Sequence, residues 1–166
     1  MEGMYRERVF SGLLAVIPGS VALVLLSLFV YARLSGVFEE PSTPWFFLGT
    51  GVFLVLTTIN FLYLVVTISR AGVSTRFGVL SHNVPVSDVK GAYKDNVSSL
   101  SYGGYGVRFG KVNGKRRVVY NVAGAPRVVV QLSRENDREF IFSTKKPDAA
   151  MKAIEEVAGI RGKAGG

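Results

Sequence analysis

The sequence predicts a two-helix transmembrane hairpin followed by a mostly-β domain of about seven antiparallel strands and a C-terminal α-helix. Three observations predict it. Residues 10–31 and 45–68 form two apolar runs without a charged side chain. Short runs of β-branched and aromatic residues, punctuated by glycines and an Asn-Gly pair, occupy most of the remainder. After Pro147 the apolar period lengthens to that of a helix.

Each apolar run reaches the roughly 20 residues a helix needs to cross a hydrocarbon core about 30 Å thick. A soluble helix of that length would carry a polar stripe, and neither run does. The chain therefore divides into a hairpin over residues 1–68, with spans at 10–32 and 45–68, a β domain over 69–158 and a tail over 159–166. A cleaved signal peptide is the poorer reading of the first run. Its apolar stretch exceeds a usual signal core, and no small-x-small cleavage site follows it.

Charge orients the hairpin. Arg6 and Arg8 precede the first span, and Arg70 and Arg76 follow the second. The connection over 35–44 holds Glu39 and Glu40 and no Lys or Arg, with Arg33 the one contrary charge. The positive-inside rule then puts both termini of this expected integral membrane protein in the cytoplasm. Tyr31, Trp45, Phe46 and Phe47 suit the outer interface. Ser11, Ala15 and Gly19 form a small-residue row that lets helix backbones approach, within the hairpin or between copies. Asn60 offers an interhelical hydrogen bond. Pro18 should bend the first helix.

The β domain is justified run by run. Residues 67–76, 77–84 and 89–93 read as the first three strands. Residues 102–112 and 115–122 are the next two, joined by Asn113-Gly114, the strongest short hairpin signal. Arg127–Leu132 is the sixth strand, a turn follows at Glu135-Asn136-Asp137, and 139–143 is the seventh. Pro147 suits the first position of a helix. Ala150, Ile154 and Val157 share one helical face over 148–158 and are expected to be buried.

Seven short strands and a closing helix match a known layout. The segments Tyr102-Gly-Gly-Tyr-Gly-Val-Arg108, Tyr120-Asn-Val-Ala-Gly124 and Phe140-Ile-Phe-Ser-Thr-Lys-Lys-Pro147 resemble bacterial-type pleckstrin-homology domains found behind paired membrane helices. Members of that group often read Gly-Gly-Trp-Gly-Ile-Arg at the first motif, where this chain has Tyr105. The resemblance covers residues 68–157 and implies a pleckstrin-homology-like (PH-like) barrel closed by the C-terminal helix. The group has no general activity, so the resemblance implies no catalytic residue.

Composition excludes several chemistries. The chain has no cysteine, which removes disulfides, thiolate metal sites and cysteine nucleophiles. Gly103, Gly104, Gly106 and Gly110 lie in β sequence with no helix following, so a nucleotide loop is not expected. They suit bulges and kinks. His82 is the only histidine and has no acid–base partner by spacing. Catalytic, cofactor and metal residues are therefore not expected, and neither is enzyme activity.

Net charge is +8, and it is uneven. From Arg70 onward 17 Lys and Arg face 8 Asp and Glu. Lys111, Lys115, Arg116 and Arg117 gather at the Asn113-Gly114 hairpin, and Lys145 and Lys146 form a second cluster. A basic residue near an anionic leaflet contributes on the order of 1 kcal/mol. Both clusters are therefore candidate contacts with anionic lipid headgroups. No helix-turn-helix, zinc or RNA-stacking motif accompanies the charge, so nucleic acid is not an expected partner. The expected function is a membrane-anchored, non-catalytic interaction module that binds a protein partner, its own copies or the anionic bilayer surface. The alternative is an accessory subunit whose spans pack on the helices of a larger complex.

Overall fold

The structure, a computed structural model, describes residues 5–37, 40–112, 114–133 and 138–160. Glu39, Asn113, the turn at 135–137 and the tail from 161 onward lie outside the described residues. The chain divides into two units: residues 11–62, and a β domain built from residues before and after them.

The first unit is a helical hairpin. Helix α1 runs Gly12–Ser35 and α2 runs Thr43–Phe61. Both are long and apolar enough to cross a membrane. Gly36 ends α1 in the left-handed conformation, φ 65°, and Pro44 sits in the first turn of α2, where its missing N–H costs nothing. Small residues make the seam. Ser11, Ala15 and Ala22 are buried, and a Cβ on Gly51 would stand 2.8 Å from Leu26 Cδ2. The polar side chains turn back on their own helices. Ser27, Ser35, Thr57 and Thr58 each donate to the carbonyl one turn earlier.

The β domain holds nine strands among the described residues: β1 Tyr5–Phe10, β2 Tyr63–Ser69, β3 Gly72–Phe77, β4 Leu80–Pro85, β5 Val89–Lys94, β6 Gly106–Val112, β7 Lys115–Asn121, β8 Arg127–Leu132 and β9 Arg138–Ser143. Helix α3, Pro147–Ala158, follows. The strands form a four-stranded sheet, β1-β2-β3-β4, and a five-stranded sheet, β5-β8-β9-β7-β6. This corrects the closed barrel of seven antiparallel strands. There are two separate sheets, and β7 and β9 run parallel. That parallel pair arises because β8 and β9 form a hairpin that enters the sheet beside β7.

Two boundaries also differ from expectation. The second apolar run is not one helix to residue 68. It ends as α2 at Phe61 and continues as β2. Leu64, Val66 and Ile68 are fully buried while Val65, Thr67 and Ser69 are partly exposed, the period-two pattern of a strand. β-branched density over 65–68 favours that outcome, whereas hydropathy alone does not separate a buried strand from a helix. The second difference is β1. Residues before the first span pair with β2 from Tyr5↔Ile68 to Phe10↔Tyr63. The helical hairpin is therefore spliced between two neighbouring strands, with Ser11 alone linking β1 to α1 and Leu62 alone linking α2 to β2.

The two sheets enclose the main core. Leu64, Val66, Ile68, Val73 and Phe77 come from the four-stranded sheet, and Val128, Val130, Phe140 and Phe142 from the other. Phe77 stacks on Tyr120 at 6.1 Å, and His82 lies 5.0 Å from Phe140. Helix α3 lies against β5, β2 and β3, burying Ala150, Ala153 and Ile154. Val157 is only half-buried, and Ala153 takes the place expected for it. The turn between β2 and β3 needs Gly72: its φ is 142°, and a Cβ there would stand 2.0 Å from the Val84 carbonyl oxygen. Glu7 ties β1 to the β9–α3 connection. Its carboxylate accepts from the Tyr5 hydroxyl at 2.6 Å, from the Thr144 hydroxyl and from the Lys145 N–H at 3.0 Å.

Candidate functional site

The β6–β7 hairpin carries the main basic cluster, and strand alternation divides it between two faces. Arg117 points to the face of the five-stranded sheet that lies away from the main core. It is 6% exposed and is not a surface charge. Its Nη2 stands 2.6 Å from Glu139 Oε2 on β9, its register partner. Lys115 Nζ reaches Glu139 Oε1 at 2.9 Å, and the Tyr93 hydroxyl donates to the same oxygen at 2.9 Å. Arg117 Nη1 also donates to the Tyr102 hydroxyl, which donates onward to Asp95 at 3.1 Å. Arg127 Nε closes the chain on Asp95 at 2.7 Å, while Nη1 donates to the Ser99 hydroxyl and Nη2 to the Val97 carbonyl. Tyr102, Val119, Val129 and Ile141 pack beneath as an apolar cluster, with Val97 against it.

The electrostatics of this face follow from its burial. Burial pushes the Glu139 carboxyl up, but hydrogen bonds from Lys115 and Tyr93 and the Arg117 charge outweigh it, leaving the group below its ordinary value. Burial and the bond to Glu139 push Tyr93 up to about 12. Burial and the Asp95 charge push Tyr102 further still. Each carboxylate is paired with a cation, Glu139 with Lys115 and Arg117 and Asp95 with Arg127. The arrangement fastens residues 95–105 over the sheet.

The opposite face differs. Lys111 on β6 pairs with Arg116 on β7, and Arg116 pairs with Arg138 on β9. The three exposed cations form one row across three adjacent strands. Two residues along each strand, on the same face, Phe109, Val118 and Phe140 make a second, apolar row. Both rows line a pocket of about 450 Å³, with Leu132 at one side and His82 of β4 opposite. Burial lowers the pKa of His82, so this wall is uncharged at neutral pH.

The other expected contacts fall elsewhere. Lys145 and Lys146 are exposed at the start of α3, at the far end of β9 from Arg138, a distance on the order of 20 Å by strand rise. In the hairpin unit, Ser11 and Ala15 are buried, and a Cβ on Gly19 would stand 3.5 Å from Thr58 Cγ2. Asn60 is half-buried near the end of α2. Arg138 and Phe109 were not among the expected site residues. Arg138 is remote in sequence from the β6–β7 cluster, and only the parallel β7–β9 pairing brings it beside Arg116. Among the described residues, no group of three or more His, Cys, Asp or Glu gathers to hold a metal.

Comparison with protein-family models, with characterised proteins and with solved structures gives no match for this chain.

Proposed function

We propose that the chain is a membrane-anchored, non-catalytic binding module. Its helical hairpin inserts in the bilayer, and its β domain stays on the cytoplasmic side to engage an anionic partner. The observation that carries the reading is the splice of the hairpin between β1 and β2. The β domain is joined to the spans by two connections of one residue each, Ser11 and Leu62. Two such short tethers hold a domain at the surface its anchor enters, and tethering raises the local concentration of any ligand there. The splice also pools the charges used for orientation. Arg6 and Arg8 on β1 and Arg76 on β3 belong to one folded unit. The positive-inside rule assigns that unit to the cytoplasm. The anionic character of the partner rests on the Lys111–Arg116–Arg138 row. The non-catalytic character is supported by a buried network whose carboxylates are ion-paired.

Alkaline carbonate extraction of cells expressing the full chain tests the anchor. The chain should remain with the membranes and come off only with detergent. Release into the alkaline wash would overturn the reading.

A further inference from the structure

We infer that the pocket beside β6, β7 and β9 seats one anionic phospholipid, its phosphate on the Lys111–Arg116–Arg138 row and an acyl chain against Phe109, Val118 and Leu132. The inference rests on the membrane-anchored reading and names the partner of that module.

The cation row is the first support. Strands in a sheet stand about 4.8 Å apart, so three side chains in register face one another across about 10 Å. Like charges directly opposite on neighbouring strands destabilise a sheet. Here two such pairs follow one another, Lys111↔Arg116 and Arg116↔Arg138. Among the described residues none of the three is in an ion pair. Glu139 is next to Arg138 in sequence, but it points to the opposite face and is already held by Arg117 and Lys115. An anion on the row would relieve the repulsion. Two guanidinium forks and an ammonium suit a phosphate, which takes bidentate donors from arginine.

The pocket supplies the second support. Its volume of about 450 Å³ falls in the roughly 300–1,000 Å³ range of small-molecule sites. The apolar row lies immediately beside the charged one, so the site is ordered as an amphiphile is ordered. Phe109 is 76% exposed on edge strand β6, a large aromatic left open at the pocket. A free phosphate would use the cations and leave Phe109 uncovered. A zwitterionic lipid would bring its own cation to a row that already repels one. The occupant that uses both rows is a phosphate monoester or diester carrying an acyl chain and a net negative charge. The bilayer that the hairpin enters supplies it.

The test uses the full chain in a non-ionic maltoside detergent. Phosphatidic acid is added, and bound lipid is counted by native mass spectrometry against phosphatidylcholine, with inorganic phosphate as competitor. One phosphatidic acid per chain should be retained in clear preference to phosphatidylcholine. The triple variant Lys111→Gln, Arg116→Gln, Arg138→Gln should weaken binding on the order of a hundredfold, from three charges near one headgroup. Val118→Trp, which keeps the cations and fills the pocket, should abolish it. Leu132→Trp serves where Val118→Trp does not fold. Equal retention of phosphatidylcholine, undiminished binding in the triple variant, or undiminished binding in a folded pocket-filling variant would each refute the inference. Complete displacement by inorganic phosphate at the concentration of the lipid would refute the acyl seat. Carbonate extraction of the same variants separates the two readings. Lost lipid selectivity in a chain that stays with alkaline-washed membranes refutes the pocket alone, whereas a chain that washes off refutes the anchor.

Discussion

Phe10 and Tyr63 are antiparallel partners, their rings 5.7 Å apart, although both long helices lie between them in the chain. The β domain is thus complete only when residues 5–10 and those from Tyr63 onward come together. Directly opposed residues on antiparallel strands are about 5 Å apart at Cα, a gap that a two-residue turn spans. Replacing residues 11–62 with Asn-Gly should therefore yield a soluble β domain that melts cooperatively. A chain beginning at Arg70 lacks β1 and β2, and with them the buried side chains of Val9, Leu64, Val66 and Ile68. It should not fold. Circular dichroism melting of both decides the point. A cooperative transition in the shorter chain at the temperature of the spliced one would remove β2 from the core.

The same relationship explains what the sequence revealed and what it hid. Two apolar runs, the β-rich character and the C-terminal helix were all legible from period and turn residues. The end of the second span was not, because 62–68 is as apolar as a membrane helix while alternating as a strand. β1 was hidden for a different reason. Arg6, Glu7 and Arg8 read as a charged flank, yet Glu7 points inward to Tyr5, Thr144 and Lys145 while both arginines are exposed. At the candidate site the basic cluster was legible as composition. Its division was available from alternation, since Arg116 and Arg117 must face opposite ways on a strand. Arg138 was not available, because it depends on a parallel pairing between β7 and β9 that no local signal announces.

The buried pair Arg117–Glu139 should dominate stability on its face. Removing one partner of a buried ion pair costs about 3–5 kcal/mol, because the other is left uncompensated. Glu139→Ala should lower stability by about that amount, and Arg117→Met with Glu139→Leu should recover most of the loss. The folded-state pKa of Glu139 is depressed, so its contribution is fully present above the ordinary glutamate value of about 4.3. It is lost as pH falls through the folded value. Acidification below about pH 4.3 should therefore destabilise the wild-type chain more steeply than Glu139→Gln. Denaturant melts of the two proteins between neutral and acid pH provide the comparison. Parallel pH profiles would show that Glu139 is not coupled to folding.

Helix α3 should be part of the core. Ile154 has no exposed surface, and Ala150 and Ala153 flank it on the buried face. Ile154→Asp would put a carboxyl among apolar groups with no partner, a loss on the order of 4 kcal/mol. Lys152→Asp, on the exposed side of the same helix, controls for the added charge. Thermal melts of the full chain in detergent should show a large drop for Ile154→Asp and little change for Lys152→Asp. Equal melting of both variants would make α3 an appendage.

Orientation is the remaining prediction. The chain has no cysteine, so single cysteines report position without a background to remove. Ser42 is exposed just before α2, in the connection between the spans, and Ser98 is exposed in the β domain. The β domain pools Arg6, Arg8, Arg70 and Arg76 on the side of Ser98, whereas Glu40 lies on the side of Ser42. Lys and Arg close to the ends of a span are retained on the cytoplasmic side, and acidic residues contribute little. The two arginines of β1 therefore act together with those that follow β2, and Arg33 alone opposes them. A membrane-impermeant maleimide applied to intact cells should label Ser42→Cys and spare Ser98→Cys. After the membrane is permeabilised, Ser98→Cys should label as well, which shows that exposure of the side chain was not the barrier. Labelling of Ser98→Cys but not Ser42→Cys on intact cells would invert the orientation and place the cationic row outside. Labelling of both on intact cells would mean that residues 11–62 do not cross the bilayer as a hairpin.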